Sequence, residues 1–381
     1  MHEGKHLRAA REAAGISLRH LASRAHFTPS YLSLVETGKR PVTPQLVLAY
    51  ELVLGPDILR RGASDDDLSV AAWTERVNAT DIPGGVLGYL EHSVDDLARS
   101  YPITAPAAVL ESTMTSMRIA RAMLDRKKTL GEHRQLMAAL GWFSLLAAAC
   151  HVDLGDPLAA RQRLRVARDI SLEAEHPEIT AWAMETMAWQ QLTDGDFTVA
   201  ATASQVARHV APRDSSVFVQ ATAQEGRALA RMGDRDGAYT ALRTLARLAS
   251  GRDEPEQIEH HFRYDPAKSN SYMATILAWI GDPAAEAFAR QVVSDLEEAQ
   301  HPRPRRLVAA RLDLGLALLA AGKADEAAQT ALAAVTSRRL VPSTFWRLDE
   351  VVAGIERVDA GAARRVREAF RDLYPPESPA T

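Results

Sequence analysis

Between Thr28 and Arg40 the chain reads TPSYLSLVETGKR, and its residue types separate by face. At helical spacing Leu32 and Val35 point one way, and Thr28, Pro29, Ser30, Ser33, Leu34 and Thr37 point the other. A serine hydroxyl can donate or accept at the edge of a base, and a leucine or proline can touch a thymine methyl. None of these is Arg, Asn or Gln, the side chains that grip one base through two bonds. Sequence discrimination is therefore expected to be modest, with phosphate contacts supplying much of the binding. Arg19 and Arg24 before this segment, and Lys39 and Arg40 just after it, carry the charge for phosphate contacts, and Thr37 adds a hydroxyl.

Short amphipathic helices are expected to position these groups. Leu7, Ala10 and Ala14 lie at helical spacing, and Gly15 ends that helix. Ser17 is placed to cap a second helix holding Leu18, Leu21 and Ala22. Thr28 caps a third, with Pro29 at the first helical position, where a missing N–H costs nothing. Thr43–Pro44 repeats the device for a fourth helix, which Gly55–Pro56 closes, and Asp57 to Arg61 suits a short fifth. Two short helices joined by a tight turn, the second with a polar face, suit the DNA major groove.

These residues resemble the Xre/Cro type of helix-turn-helix repressor, related to lambdoid phage repressors, over roughly Leu7 to Leu59. Arg11, Gly15, Ser17, Leu21–Ala22, Tyr31–Leu32, Glu36, Gly38–Lys39 and the run Leu46 to Gly55 stand in the family's register. The resemblance implies a five-helix, lambda-repressor-like domain in which Arg11 pairs with Glu36 across the fold. It also implies that Thr28, Pro29, Ser30, Ser33 and Leu34 read bases, while Arg19, Arg24, Thr37, Lys39 and Arg40 hold phosphates. Leu18 departs from the pattern: the family usually has glutamine there, touching phosphate or the first base pair, a contact that neighbouring Arg19 could replace. The alternative is a degenerate helix-turn-helix kept only for dimerisation or docking.

Charge divides the chain. Residues 1–62 hold nine Lys or Arg against five Asp or Glu, giving +4, whereas the whole chain is −4, so the remainder carries −8. A basic head on an acidic body points to nucleic acid for the former only. The expected organisation is a DNA-binding domain over 1–62, an acidic linker over 63–69, helical repeats over 70–374 (clearest over 133–342) and a disordered tail over 375–381. The start, MHEGKHLRAAREAAG, lacks the apolar stretch of a signal peptide, and the longest apolar run, Trp142 to Cys150, is too short to span a bilayer. Cys150 is the sole cysteine, so no intrachain disulfide can form and a cysteine-rich metal site is excluded. The expected compartment is a bacterial-type cytoplasm.

The body repeats. Turns at Gly155–Asp156, Gly195–Asp196, Gly233–Asp234, Gly281–Asp282 and Gly322–Lys323 put successive glycines 40, 38, 48 and 41 residues apart. Five residues after the glycine stands Ala160, Ala200, Ala238 or Ala327, with Glu286 the exception, and seven before it Ala148, Ala188, Gly226, Ala274 or Gly315. Small residues there let two helices of a hairpin approach closely. The pattern looks like the tetratricopeptide repeat, with a period longer than that repeat's usual ~34 residues. Leu68 to Arg99 and Pro106 to Leu124 are expected to add degenerate hairpins, and Ser343 to Tyr374 a capping pair. The fold class is thus all-α, a helix-turn-helix domain followed by a tetratricopeptide-like solenoid.

Stacked hairpins make a superhelix whose concave face is lined by the first helix of each pair. In the repeat's register that face holds Trp142, Trp182, Glu185, Trp189, Gln220, Gln224, Arg227 and Tyr272. Exposed aromatics beside amides and charges suit a recognition groove, and a register error of one residue makes the tryptophans core instead. Head and body together resemble the RRNPP peptide-sensing regulators of Gram-positive quorum sensing, and the actinobacterial regulators of development or secondary metabolism with the same layout. The Ala- and Arg-rich composition leans to the second group. The inner-face asparagines typical of the first are missing, since the chain has only Asn78 and Asn270.

Other chemistry is weakly signalled. Glu259-His260-His261 and His301 lack the i, i+4 spacing of a helical metal site and are expected on the solvated surface. Cys150–His151 is expected to pack in the core, and Arg126-Lys127-Lys128 to be a solvated basic turn. No glycine-rich phosphate loop, HExxH or nucleophile elbow occurs, so neither an enzyme nor a cofactor is expected. The expected function is a homodimeric regulator on a palindromic operator, controlled by a peptide or small molecule in the repeat domain. The alternative is an adaptor that recruits a partner protein to DNA.

Overall fold

A computed structural model describes residues 4–55, 65–250, 259–264 and 266–375 of the chain. Among these residues the structure is all-α, with nineteen helices and no strand. Contacts divide it into two units, Met1–Asp81 with Lys127–Thr129, and Ile82–Arg126 with Leu130–Thr381.

In the first unit α1 (Gly4–Ala13), α2 (Leu18–Arg24), α3 (Pro29–Glu36) and α4 (Pro44–Leu54) enclose one core. Leu7, Ala10, Leu21, Ala22, Leu32, Val35, Leu46, Tyr50 and Leu54 fill it. The expected caps are made: Ser17, Thr28 and Thr43 accept from the backbone N–H of His20, Tyr31 and Leu46. Gly4 sits so close to the end of α3 that a Cβ there would lie 1.8 Å from the Val35 carbonyl oxygen, which leaves no room for any side chain. The expected fifth helix, Asp57 to Arg61, lies outside the described residues, as does nearly all of the expected tail. A helix, α5 (Asp65–Asn78), occupies most of the stretch expected as an acidic linker. Acidic residues are favoured at the positive end of a helix, so a run of aspartates is as good a helix start as a solvated tether.

The second unit begins with α6 (Val86–Ser100) and α7 (Pro106–Leu124), which pack on α8 (Leu130–Asp153). Helical hairpins follow: α8 with α9 (Pro157–Glu173), α10 (Pro177–Asp194) with α11 (Phe197–Val210), α12 (Ser216–Met232) with α13 (Arg235–Ala249), α14 (Pro266–Trp279) with α15 (Ala285–Glu298), α16 (Pro304–Ala320) with α17 (Ala324–Thr336), and α18 (Pro342–Glu356) with α19 (Ala360–Leu373). Each of the five turn glycines that mark the repeat has positive φ, the conformation that stops one helix and starts the next. The small-residue positions act as expected. A Cβ on Gly226 of α12 would meet Ala241 of α13 at 2.7 Å and Ile276 of α14 at 2.8 Å.

The hairpins stack into a solenoid-like body that closes on itself. The first helices α8, α10, α12, α14, α16 and α18 each contact the next, and α18 returns to touch α8 and α10. Ion pairs and hydrogen bonds lock the closure. The buried Asp153 carboxylate at the end of α8 accepts from Arg305 Nη1 of α16 (2.8 Å), Ser343 Oγ of α18 (2.7 Å) and Tyr101 Oη (2.6 Å). Arg231 of α12 pairs with Glu350 of α18 at 2.6 Å. Helix α8 is, by length and composition, apolar enough to cross a membrane, contrary to the expectation from its longest uninterrupted run. Its most apolar window is 72% buried in this unit, as a core helix would be.

Candidate functional site

Two sites emerge, one in each unit. In the first unit, α3 is fixed from behind and open in front. Arg11 holds Glu36 through two parallel bonds, Nε to Oε1 at 2.7 Å and Nη2 to Oε2 at 2.8 Å, both groups buried. The Glu36 carboxylate raises the arginine above its ordinary range, which keeps it charged under all working conditions. Arg11 also donates to the Ile16 carbonyl (3.0 Å), and the buried Tyr50 hydroxyl donates to Glu36 (2.9 Å), joining α4 to the same knot. Sequence reading missed Tyr50. A tyrosine on the inner face of α4 is an ordinary core residue until the partner of its hydroxyl is known.

The residues expected to read DNA lie outward. Thr28, Pro29, Ser30 and Leu34 are exposed and Ser33 half-exposed, with no core contact that would hold them back. The Thr28 hydroxyl caps α3, and the Thr37 hydroxyl donates to the Ser33 carbonyl at 2.7 Å. Both threonines therefore shape the helix ends, leaving Ser30 and Ser33 as the free hydroxyls. Arg19, Arg24, Lys39 and Arg40 are exposed as well. The Lys39 and Arg40 backbone N–H groups both donate to the Leu34 carbonyl, which fixes the basic exit to the end of α3, and the Arg40 guanidinium rests over Tyr31 at 5.7 Å.

In the second unit the closed ring of first helices surrounds a cavity of about 230 Å³. Seven of the eight residues expected on the concave face line it: Trp182, Glu185, Trp189, Gln220, Gln224, Arg227 and Tyr272. Trp142 does not. It is half-buried against Phe262 (4.9 Å) and His176 (5.7 Å), because residues 260–264 fill the space that its register position would otherwise face. Trp182 meets both readings, since it is 1% exposed yet borders the cavity.

The register that places these residues extends further than the sequence reading carried it. Thirteen residues before the turn glycine stand Trp182, Gln220, Lys268 and Ala309, and nine before it Gln224, Tyr272 and Asp313, all of them on the cavity wall. Carried one and two hairpins onward, that register would have found Asp313 and pointed to α16 and α18 as the remaining walls. Those walls add Arg305, Arg306, Trp346 and Arg347, none of them read from sequence.

The stretch Glu259-His260-His261 is a correction. Instead of solvated surface, His260 is 8% exposed, its Nε2 is 3.1 Å from Asp95, and the His261 N–H donates to the Ala98 carbonyl. Phe262 and Tyr264, both buried, pull the segment inward. Burial pushes His260 down to about 4, so it is neutral at physiological pH, and burial lowers His261 as well. No group of three or more His, Cys, Asp or Glu able to hold a metal is found among the described residues. Cys150 packs in the core, where burial pushes its thiol up to about 12 and makes it a poor nucleophile.

The cavity is polar and charged for an interior space. Burial pushes Glu185 above the ordinary carboxylate range, against the pull of Lys268 and hydrogen bonds from Gln220 and Gln224. Gln220 also bonds the Tyr272 hydroxyl at 2.5 Å, and Arg227 donates to Gln224 Oε1 at 2.7 Å. Such a wall can recognise a polar ligand.

Residues 4–53 match a family model described as a helix-turn-helix domain. No curated protein matches the chain. The match falls on the unit whose α2 and α3 form the helix pair just described. The chain thus carries an N-terminal helix-turn-helix DNA-binding domain, ahead of an all-helical, solenoid-like body.

Proposed function

We propose that the chain is a sequence-specific transcription regulator whose repeat unit binds a signal and thereby controls operator binding. The observation that carries the reading is the pairing of an outward α3, fixed by Arg11, Glu36 and Tyr50, with a polar cavity inside the second unit. Two-fold operators are read by dimers, so the protein is taken as a homodimer. The exposed Leu48 and Leu52, one turn apart on α4, favour contact with a second copy. Its place of action is the cytoplasm, at the nucleoid, and it is taken to be a regulator without catalytic activity of its own. The repeat unit resembles tetratricopeptide receptors in its register. Its ring is closed by α18, however, which favours a small molecule over an extended peptide needing an open groove.

Selection of bound fragments from randomised duplex DNA tests this reading. The expected outcome is one enriched, two-fold symmetric sequence bound by two copies of the chain. Uniform recovery of all sequences would leave the helix-turn-helix as a docking module and sink the proposal.

A further inference from the structure

Three guanidiniums crowd one indole. Arg227 and Arg231 each lie 5.2 Å from the Trp279 ring and Arg347 lies 5.6 Å from it. Two of these cations are answered: Arg231 pairs with Glu350, and Arg347 with Asp313. Arg227 is not. It is 6% exposed, its one hydrogen bond goes to the neutral Gln224 amide, its Nε has no acceptor, and it forms no ion pair among the described residues. A buried guanidinium without a carboxylate is costly, and the like charge of Arg347 beside it adds to that cost. Consistent with this, burial and the neighbouring Arg227 push Arg347 down to about 9.

The remaining wall charges do not repair the imbalance. Arg305 pairs with Asp153 and Arg306 with Glu259, which leaves the cation Lys268 and the acid Glu185, whose carboxyl burial pushes toward the neutral form against the attraction of Lys268 and Arg227. The Nε1 groups of Trp182 and Trp346, both on the wall, are buried donors without an acceptor. One acceptor on the wall, Gln220 Oε1, is unbonded as well, but the wall's cations outnumber its carboxylates, so positive charge is in excess.

We propose, on the reading that this cavity is the signal site, that its ligand is a small organic anion whose carboxylate or phosphate group sits on the Arg227 guanidinium. The Tyr272 ring, 5.4 Å below that guanidinium, and Trp189 and Trp346 flank the ligand's apolar part. A bound oxyanion supplies the missing counter-charge and can accept from Arg227 along the fork that suits carboxylate and phosphate.

The test titrates the full-length protein with benzoate, phenyl phosphate and the neutral isostere benzamide, followed by tryptophan fluorescence and thermal unfolding. The anions are expected to bind and to raise the unfolding temperature, and benzamide to do neither. Arg227→Met is expected to weaken anion binding by at least about tenfold, the loss of a charge-assisted hydrogen bond, and Arg227→Lys to keep part of it. Equal binding of benzamide and benzoate, no response to either anion, or undiminished anion binding in Arg227→Met would overturn the site. If Arg227→Met does not fold, Arg227→Lys and the anion–amide comparison on the unaltered protein decide. DNA affinity measured in the same titrations separates the two proposals. Anion binding that leaves DNA affinity unchanged supports the site and sinks signal control. DNA affinity that responds to benzamide and not to the anions sinks the site and supports signal control.

Discussion

Glu36 is the residue on which α3 turns, because it brings a negative charge into the core of a small domain and finds two partners there. The Arg11 fork supplies the opposite charge and Tyr50 one further donor. Arg11→Ala leaves a buried carboxylate with a single neutral donor, which is expected to cost about 3–5 kcal/mol of domain stability. Chemical denaturation of the full chain checks this, and an unchanged first transition would reject the pairing as a stabilising feature. The Arg11–Glu36 pair was legible because the resemblance to a known family implied it. Tyr50 was not, since nothing in sequence tells a core tyrosine with a bonded hydroxyl from one merely packed.

At the scale of elements, the proposed function divides the residues on and just beyond α3 between base reading and phosphate binding. Ser30 and Leu34 stand in its outward face and Lys39 just past its end. Ser30→Ala or Leu34→Ala should change which operator bases are preferred, each substitution shifting discrimination at one position by about 1 kcal/mol or more. Lys39→Ala should instead weaken binding to every duplex alike and lower the salt dependence by about one phosphate contact. Anisotropy titrations over several salt concentrations, on selected and scrambled duplexes, tell these apart. A Lys39→Ala protein with unaltered nonspecific affinity would reassign the phosphate contacts. The helix-turn-helix was readable to within a few residues because caps, prolines and turn glycines all act locally. Residues 260–264 were misread for the opposite reason: what buries His260 and Phe262 is α6, α8 and α10, far away in sequence.

The closure of the second unit belongs to the whole molecule, and it is the feature that sequence could least reveal. Glycine spacing gave a stack of hairpins but not its curvature, whereas the ring depends on Asp153 meeting Arg305 and Ser343, which are 152 and 190 residues away. Burial pushes Asp153 above the ordinary carboxylate range in spite of its three partners, so its charge is held against a desolvation cost. Losing that charge strands the Arg305 guanidinium, which among the described residues has only the Thr104 carbonyl and the face of Tyr101 left to it. Asp153→Asn, which keeps the shape of the side chain, is therefore expected to destabilise the unit by up to about 3–5 kcal/mol. Because α18 touches α8 through Ser343 at that point, the damage should appear first as faster amide hydrogen exchange in Pro342–Glu356, ahead of the inner hairpins. Exchange in α18 that stays as slow as in the unaltered protein would mean that apolar packing alone closes the ring. Asp153 would then be a tolerated burial instead of the latch.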